Sequence, residues 1–162
     1  RAGMVKVIRS TSASDKMRAA VKAIALKKLS VGWFDTSQYQ DGTPVAYVAA
    51  IHEFGNPSGG VPARPFMRPT IEAKTPEWKS TLAGGAHQVL TGKLTAEQML
   101  GQVGQMAAGN IAETIASIDT PALQPGTIKG RKSRRKSPGV STKPLVDTGL
   151  LIQSVNHKVE DV

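Results

Sequence analysis

The chain has 162 residues, no cysteine, and 21 lysines and arginines against 12 aspartates and glutamates, a formal charge of +9. That length suits one domain with a real core. Without cysteine there are no disulfides or thiolate metal sites, and no apolar run approaches the roughly 20 residues of a membrane helix.

Aromatic residues are few (three Phe, two Trp, two Tyr), whereas glycine and proline number 16 and ten. Burial must therefore rest on aliphatic side chains and alanine, and such a lean protomer is expected to complete its burial in an oligomer. In chain order, Val5 and Val7 alternate around Lys6 as a short strand would. Ser12 and Asp15 have capping-box spacing, and Met17, Ala20, Val21, Ile24 and Ala25 then form one apolar stripe, which predicts a helix over Asp15–Lys28. Leu29–Thr36, with Val31, Trp33 and Phe34, reads as a strand, and Asp41-Gly42 as a turn.

Thr43-Pro44 opens a second helix, a cap residue followed by proline at the first helical position. Val45, Val48, Ala49 and His52 share its face, and Gly55 can end it in the left-handed conformation. After the loop 56–60 comes a strap in which Pro62, Pro65 and Pro69 fix φ and push each preceding residue out of the α region. Ala63–Met67 is therefore expected to be extended, with Arg64 and Arg68 flanking Phe66. A helix is predicted from Pro65 to about Ala83, with a break or kink at Pro76.

Thr95 and Gln98 form another capping box. Leu100, Val103, Ala107, Ile111, Ile115 and Ile118 carry that helix towards Asp119. Gly101, Gly104 and Gly109 each cost it about 1 kcal/mol relative to alanine, unless they permit close packing. Pro121 and Pro125 end it. Residues 121–143 have the composition of a flexible loop. Asp147 or Thr148 can cap a short turn over Gly149–Ser154, and Val155–Val159 reads as a closing strand. The fold class expected is α+β: a small antiparallel sheet packed with two or three helices, plus long flexible loops, in a single domain over 1–162.

Several motifs carry a chemical suggestion. Leu145-Val146-Asp147-Thr148-Gly149 matches the aspartic-protease signature, which needs two aspartates facing each other. Only 13 residues follow Gly149, too few for the rest of such a fold. His52-Glu53 lacks the second histidine of a zinc-binding helix, and His52, His87 and His157 show no ligand spacing. Glu53 can pair with Arg64 or Arg68 and so pin the strap. Lys129, Arg131, Lys132, Arg134, Arg135, Lys136 and Lys143 form a basic block with no acidic residue among them. It suits a solvated loop, a phosphate backbone or an acidic protein surface, and it lacks the aromatics that stack on bases. The run also resembles a nuclear localisation signal. No phosphate-binding glycine loop or serine nucleophile elbow is present, and nothing points to catalysis.

Three blocks taken together resemble a known family. They are Ala49-Ala50-Ile51-His52-Glu53-Phe54-Gly55, Val61-Pro62-Ala63-Arg64-Pro65-Phe66-Met67-Arg68-Pro69, and Pro144-Leu145-Val146-Asp147-Thr148-Gly149-Leu150-Leu151-Ile152-Gln153-Ser154-Val155. In this order they resemble the neck, or tail-completion, proteins of long-tailed bacteriophages, including virion morphogenesis proteins. There a helix ends in Glu-Phe-Gly, a Pro-Ala-Arg-Pro-Phe strap follows, and a Pro-Leu-x-x-Thr/Ser-Gly-x-Leu-x-x-Ser segment closes the domain.

The resemblance implies an α+β protomer assembled as a ring, commonly a hexamer, between head connector and tail tube. It implies a location in the virion neck after assembly in the bacterial cytoplasm, with no catalysis and no cofactor. On this reading Glu53, Phe54, Arg64, Phe66 and Arg68 are expected at the inter-subunit or connector interface. Lys129, Arg131, Lys132, Arg134, Arg135 and Lys136 are expected to face packaged DNA or an acidic partner. The alternative from the residues alone is a basic nucleic-acid-binding module outside any virion; a third class is an Asp147-dependent protease.

Overall fold

A computed structural model describes residues 11–34, 36–133 and 141–162. The first helix, α1 (Thr11–Ala25), leads into strand β1 (Lys27–Gly32). Helix α2 (Val45–Phe54) and a 3-10 turn (Pro57–Gly59) precede a long pair, α3 (Met67–Leu90) and α4 (Ala96–Ser117). Helices α5 (Pro125–Lys132) and α6 (Leu150–Gln153) and strand β2 (Asn156–Asp161) complete the chain. β1 and β2 pair antiparallel, Leu29 opposite Val159 and Val31 opposite His157. The α+β class and the antiparallel sheet are as expected.

Helix α4 is the spine. Its capping box forms as predicted: Thr95 Oγ1 accepts from Gln98 N, and Gln98 Oε1 accepts from Thr95 N. Ile111 and Ile115 join Val45, Ala49, Phe66, Leu145 and Leu151 in one buried cluster. At its other end, Met99 and Leu100 join Val89 in a second, against which Ala20, Ile24, Leu29 and Val159 pack. Glycine decides how closely the layers approach. A Cβ on Gly104 would lie 2.7 Å from both His157 and Leu29, so the helix can sit on the sheet only without one. Gly85 of α3 meets Met99 in the same way. Gly109 faces open space, so its helix penalty has no such return.

Several boundaries differ from expectation for physical reasons. The first helix ends at Ala25 and Lys27 already pairs with Asp161: cross-strand pairing wins over the helical stripe. Ser12 and Asp15 lie inside α1 instead of capping it. Pro44 is the residue before α2, extended at ψ 133°, rather than its first member. Gly55 has positive φ (78°) but ψ 168°, outside the left-handed helical well, and its missing Cβ admits Ala63 N, which a Cβ would approach to 2.9 Å. The helix after the strap begins at Met67, not Pro65, and runs to Leu90 without a break at Pro76. Pro76 is exposed, so water can serve the carbonyl its missing N–H leaves free. Residues 121–143 are not all loop, since α5 lies within them. The strand expected at Val5–Val7 lies outside the described residues.

Candidate assembly surface

The first two motif blocks meet at one carboxylate. Glu53, in the last turn of α2, is 5 % exposed. Its Oε2 accepts from Phe66 N (2.7 Å) and Met67 N (2.9 Å), and its Oε1 from Arg68 N (3.2 Å) and Arg68 Nε (2.8 Å). These are the backbone donors that the start of α3 leaves without intrahelical partners. Glu53 therefore supplies from another helix the cap that no neighbouring side chain provides, with its negative charge at the positive end of α3. Burial opposes its ionisation. The bonds from the Arg68 side chain and from the Met67, Phe66 and Arg68 backbone outweigh that, holding its pKa below the ordinary glutamate value.

Arg64 and Phe66 point inward. Arg64, 4 % exposed, donates through Nε to Pro121 O (2.8 Å) and through its terminal nitrogen to Ala122 O (3.2 Å), and so fastens the strap to the chain beyond α4. Phe66, 1 % exposed, meets Trp33 edge to face at 5.4 Å between centroids. Trp33 Nε1 in turn donates to Leu151 O (2.9 Å) in the third block. The expectation that Glu53, Arg64 and Phe66 form a contact surface is therefore corrected. All three are buried in the protomer: the proline-fixed strap turns Arg64 to the carbonyls of Pro121 and Ala122 and Phe66 into the Val45–Ile115 cluster, and the start of α3 closes over Glu53. The ion pair expected from Glu53 goes to Arg68 and not to Arg64.

Arg68 and Phe54 do reach the surface. The Arg68 side chain is 61 % exposed, and its guanidinium lies 5.2 Å above the Phe54 ring, itself 68 % exposed. Tyr47, two turns before Phe54 on the same face of α2, is also exposed, as is Ile71 one turn beyond Arg68. Beside Phe54 and Arg68 lies a shallow groove lined also by Trp33, Ala46, Ala49, Ala50, Glu53, Phe66 and Met67. Tyr47 and Ile71 were not singled out in the sequence. The seven-residue spacing of Tyr47 and Phe54, off the Val45–Ala49 stripe, is the signal that marks this face.

The basic block divides. Arg131 is 7 % exposed and donates to the carbonyls of Ser141, Lys143, Pro144 and Val146, with Asp147 Oδ1 3.6 Å from its Nε. Its expected DNA-facing role is thereby corrected: a guanidinium with five donors in a planar fork gathers a segment that lacks regular pairing of its own. Lys129 and Lys132 are exposed. Arg134, Arg135 and Lys136 lie outside the described residues. Lys143 Nζ donates to Ala116 O at the end of α4.

A polar cavity lies beside Arg131, lined by Tyr39, Asp41, Thr43, His52, Asp147 and Thr148 among others. His52 Nδ1 is buried with no hydrogen-bond partner among the described residues. Burial, and then the Arg64 and Arg131 guanidiniums, pull the His52 pKa below the ordinary histidine value. Tyr39 is shifted upward, by burial first and then by Asp147 and Asp41. Asp147, paired with Arg131, sits in a loop leading to α6, and Thr148 Oγ1 accepts from Leu150 N at 3.3 Å. Among the described residues no group of three or more histidines and carboxylates could hold a metal. No helix among them is long and apolar enough to cross a membrane.

No family model matches the chain, and neither a curated protein nor a solved structure matches it significantly.

Proposed function

We propose that this chain is a non-catalytic structural subunit of a long-tailed bacteriophage virion, forming a ring at the neck that joins the head connector to the tail tube. The observation that supports this reading most is the convergence of the three motif blocks. Glu53 of the first caps the helix started by the second, and Phe66 of the second packs through Trp33 onto Leu151 of the third. A spacing pattern kept by such a knot is a scaffold pattern, and it leaves Phe54 and Arg68 displayed on its outer side. Partners on this reading are copies of the chain, the head connector and the tail tube or its terminator. Lys129 and Lys132 would add non-specific attraction to packaged DNA, multiplied by the copies in a ring.

The test uses exposed residues, so that folding is preserved. A phage supplied only with the Tyr47→Ala/Phe54→Ala chain should yield filled heads and separate tails under the electron microscope. A normal yield of joined, infectious particles would refute the reading.

A further inference from the structure

The cavity beside Arg131 has a volume of about 280 Å³, close to the lower end of the roughly 300–1,000 Å³ of small-ligand pockets. Its floor is buried, with Arg131 7 % exposed and Leu145 and Leu151 4 % each. Asp41 and Thr148 are exposed and mark its mouth. The Asp41 side is held in place by a tight turn. Asp41 Oδ1 accepts from Thr43 N (3.0 Å), and Tyr39 N donates to Thr43 O (2.9 Å). A rim fixed in this way loses little entropy when a ligand enters.

Charge decides which ligand fits. The lining carries two carboxylates, Asp41 and Asp147, against one guanidinium, Arg131. His52 is neutral at pH 7, since its pKa is lowered from the ordinary 6.5. The lining is thus left with net negative charge in a chain of +9. An anion would meet both carboxylates, while Arg131 already serves four carbonyls and stands beside Asp147. A metal ion would lack a third histidine or carboxylate ligand among the described residues. Acceptors, in contrast, are plentiful. Both carboxylates bear on the Tyr39 hydroxyl, and the buried His52 Nδ1 offers a lone pair in the Nε2–H tautomer. An ammonium brings three donors and one compensating charge. Val48, Leu145 and Leu151 in the same lining give an alkyl stem an apolar wall.

We infer that this cavity binds a primary alkylammonium group, with Asp41 as its charge partner at the mouth and the stem against Val48, Leu145 and Leu151. Two sources supply that chemistry: a free diamine or polyamine, and the lysine side chain of a partner. The site is a property of the single chain and does not rest on the neck-ring reading.

The test titrates n-butylammonium chloride into the full chain at constant ionic strength, followed by proton–nitrogen NMR. Amide shifts at 39–43 and 147–151 should move and saturate. Sodium butyrate, with the same stem and the opposite charge, should leave them in place. Asp41→Asn keeps an acceptor for Thr43 N, and so the turn, but should weaken n-butylammonium binding tenfold or more; circular dichroism confirms its fold. Putrescine and Nα-acetyl-lysine methylamide then separate the sources. Saturation by putrescine alone assigns a free amine, and saturation by the lysine amide assigns a partner side chain. The inference is overturned by the absence of saturating shifts up to about 100 mM n-butylammonium. Equal shifts with butyrate, or binding indifferent to Asp41→Asn, would overturn it as well, since either marks a diffuse salt effect.

Discussion

Replacing Glu53 with glutamine keeps the shape of the side chain and removes the charge that four donors address. Three are backbone N–H groups at the start of α3 and the fourth is Arg68 Nε. The amide nitrogen must face one of these donors, leaving at least one buried donor without an acceptor, at a cost of about 1–3 kcal/mol. Loss of negative charge at a partly buried helix N-terminus adds about 0.3–2 kcal/mol. The sum, about 1–5 kcal/mol, is a large share of the 5–15 kcal/mol typical of a domain. For a chain of this size it lowers Tm by about 3–20 °C. Thermal and urea unfolding followed by circular dichroism measures it. Acid supplies a second signature. The Glu53 pKa is lowered in the folded state, so its contribution is present above the ordinary value of 4.5 and is lost as pH falls through the folded-state value. Glu53→Gln should thus show a flatter stability profile below pH 4.5. A Tm within about 2 °C of the parent, with an unchanged acid limb, would refute the capping account.

Other expectations follow from the same geometry. Gly104→Ala should destabilise by about 1–3 kcal/mol, because its Cβ meets His157 and Leu29. Gly109→Ala, facing open space, should stabilise by up to about 1 kcal/mol; equal effects in denaturant titration would contradict the close-approach argument. Arg131→Met should speed amide hydrogen exchange across 141–152 tenfold or more while α3 and α4 keep their protection; unchanged exchange there would remove its role as a hub. The His52 pKa is depressed in the fold, so its contribution is complete above about 6.5 and declines as pH falls through the folded-state value. His52→Gln should therefore flatten the stability profile below about pH 6.5, and a profile of unaltered slope there would show that another group controls it.

Helices with a strong stripe or a complete cap were legible in the sequence. Thr95 and Gln98 announced α4, and Val45, Ala49, Ile111 and Ile115 proved to be buried where periodicity placed them. The elements misplaced were those settled by distant partners. Lys27 and Lys28 fall within the helix expected from the local pattern, yet they pair with Asp161 and Glu160 more than 130 residues away. At the candidate site, proline spacing disclosed a rigid strap but not which way its side chains face. Arg64 and Arg68 look equivalent in the sequence. Only the positions of Pro121, Ala122 and Glu53 separate a buried tether from an exposed cation. Arg131 sits in a run of similar basic residues, and nothing local marks it as the member that gathers four carbonyls.

The most direct check is to find where this chain resides in purified, tailed particles. Gold-labelled antibody against it, with copy number by quantitative mass spectrometry, should mark the head–tail junction alone at a few copies per particle, as one ring requires. Labelling spread over the capsid or along the tail, or complete absence from particles, would contradict a neck-ring role.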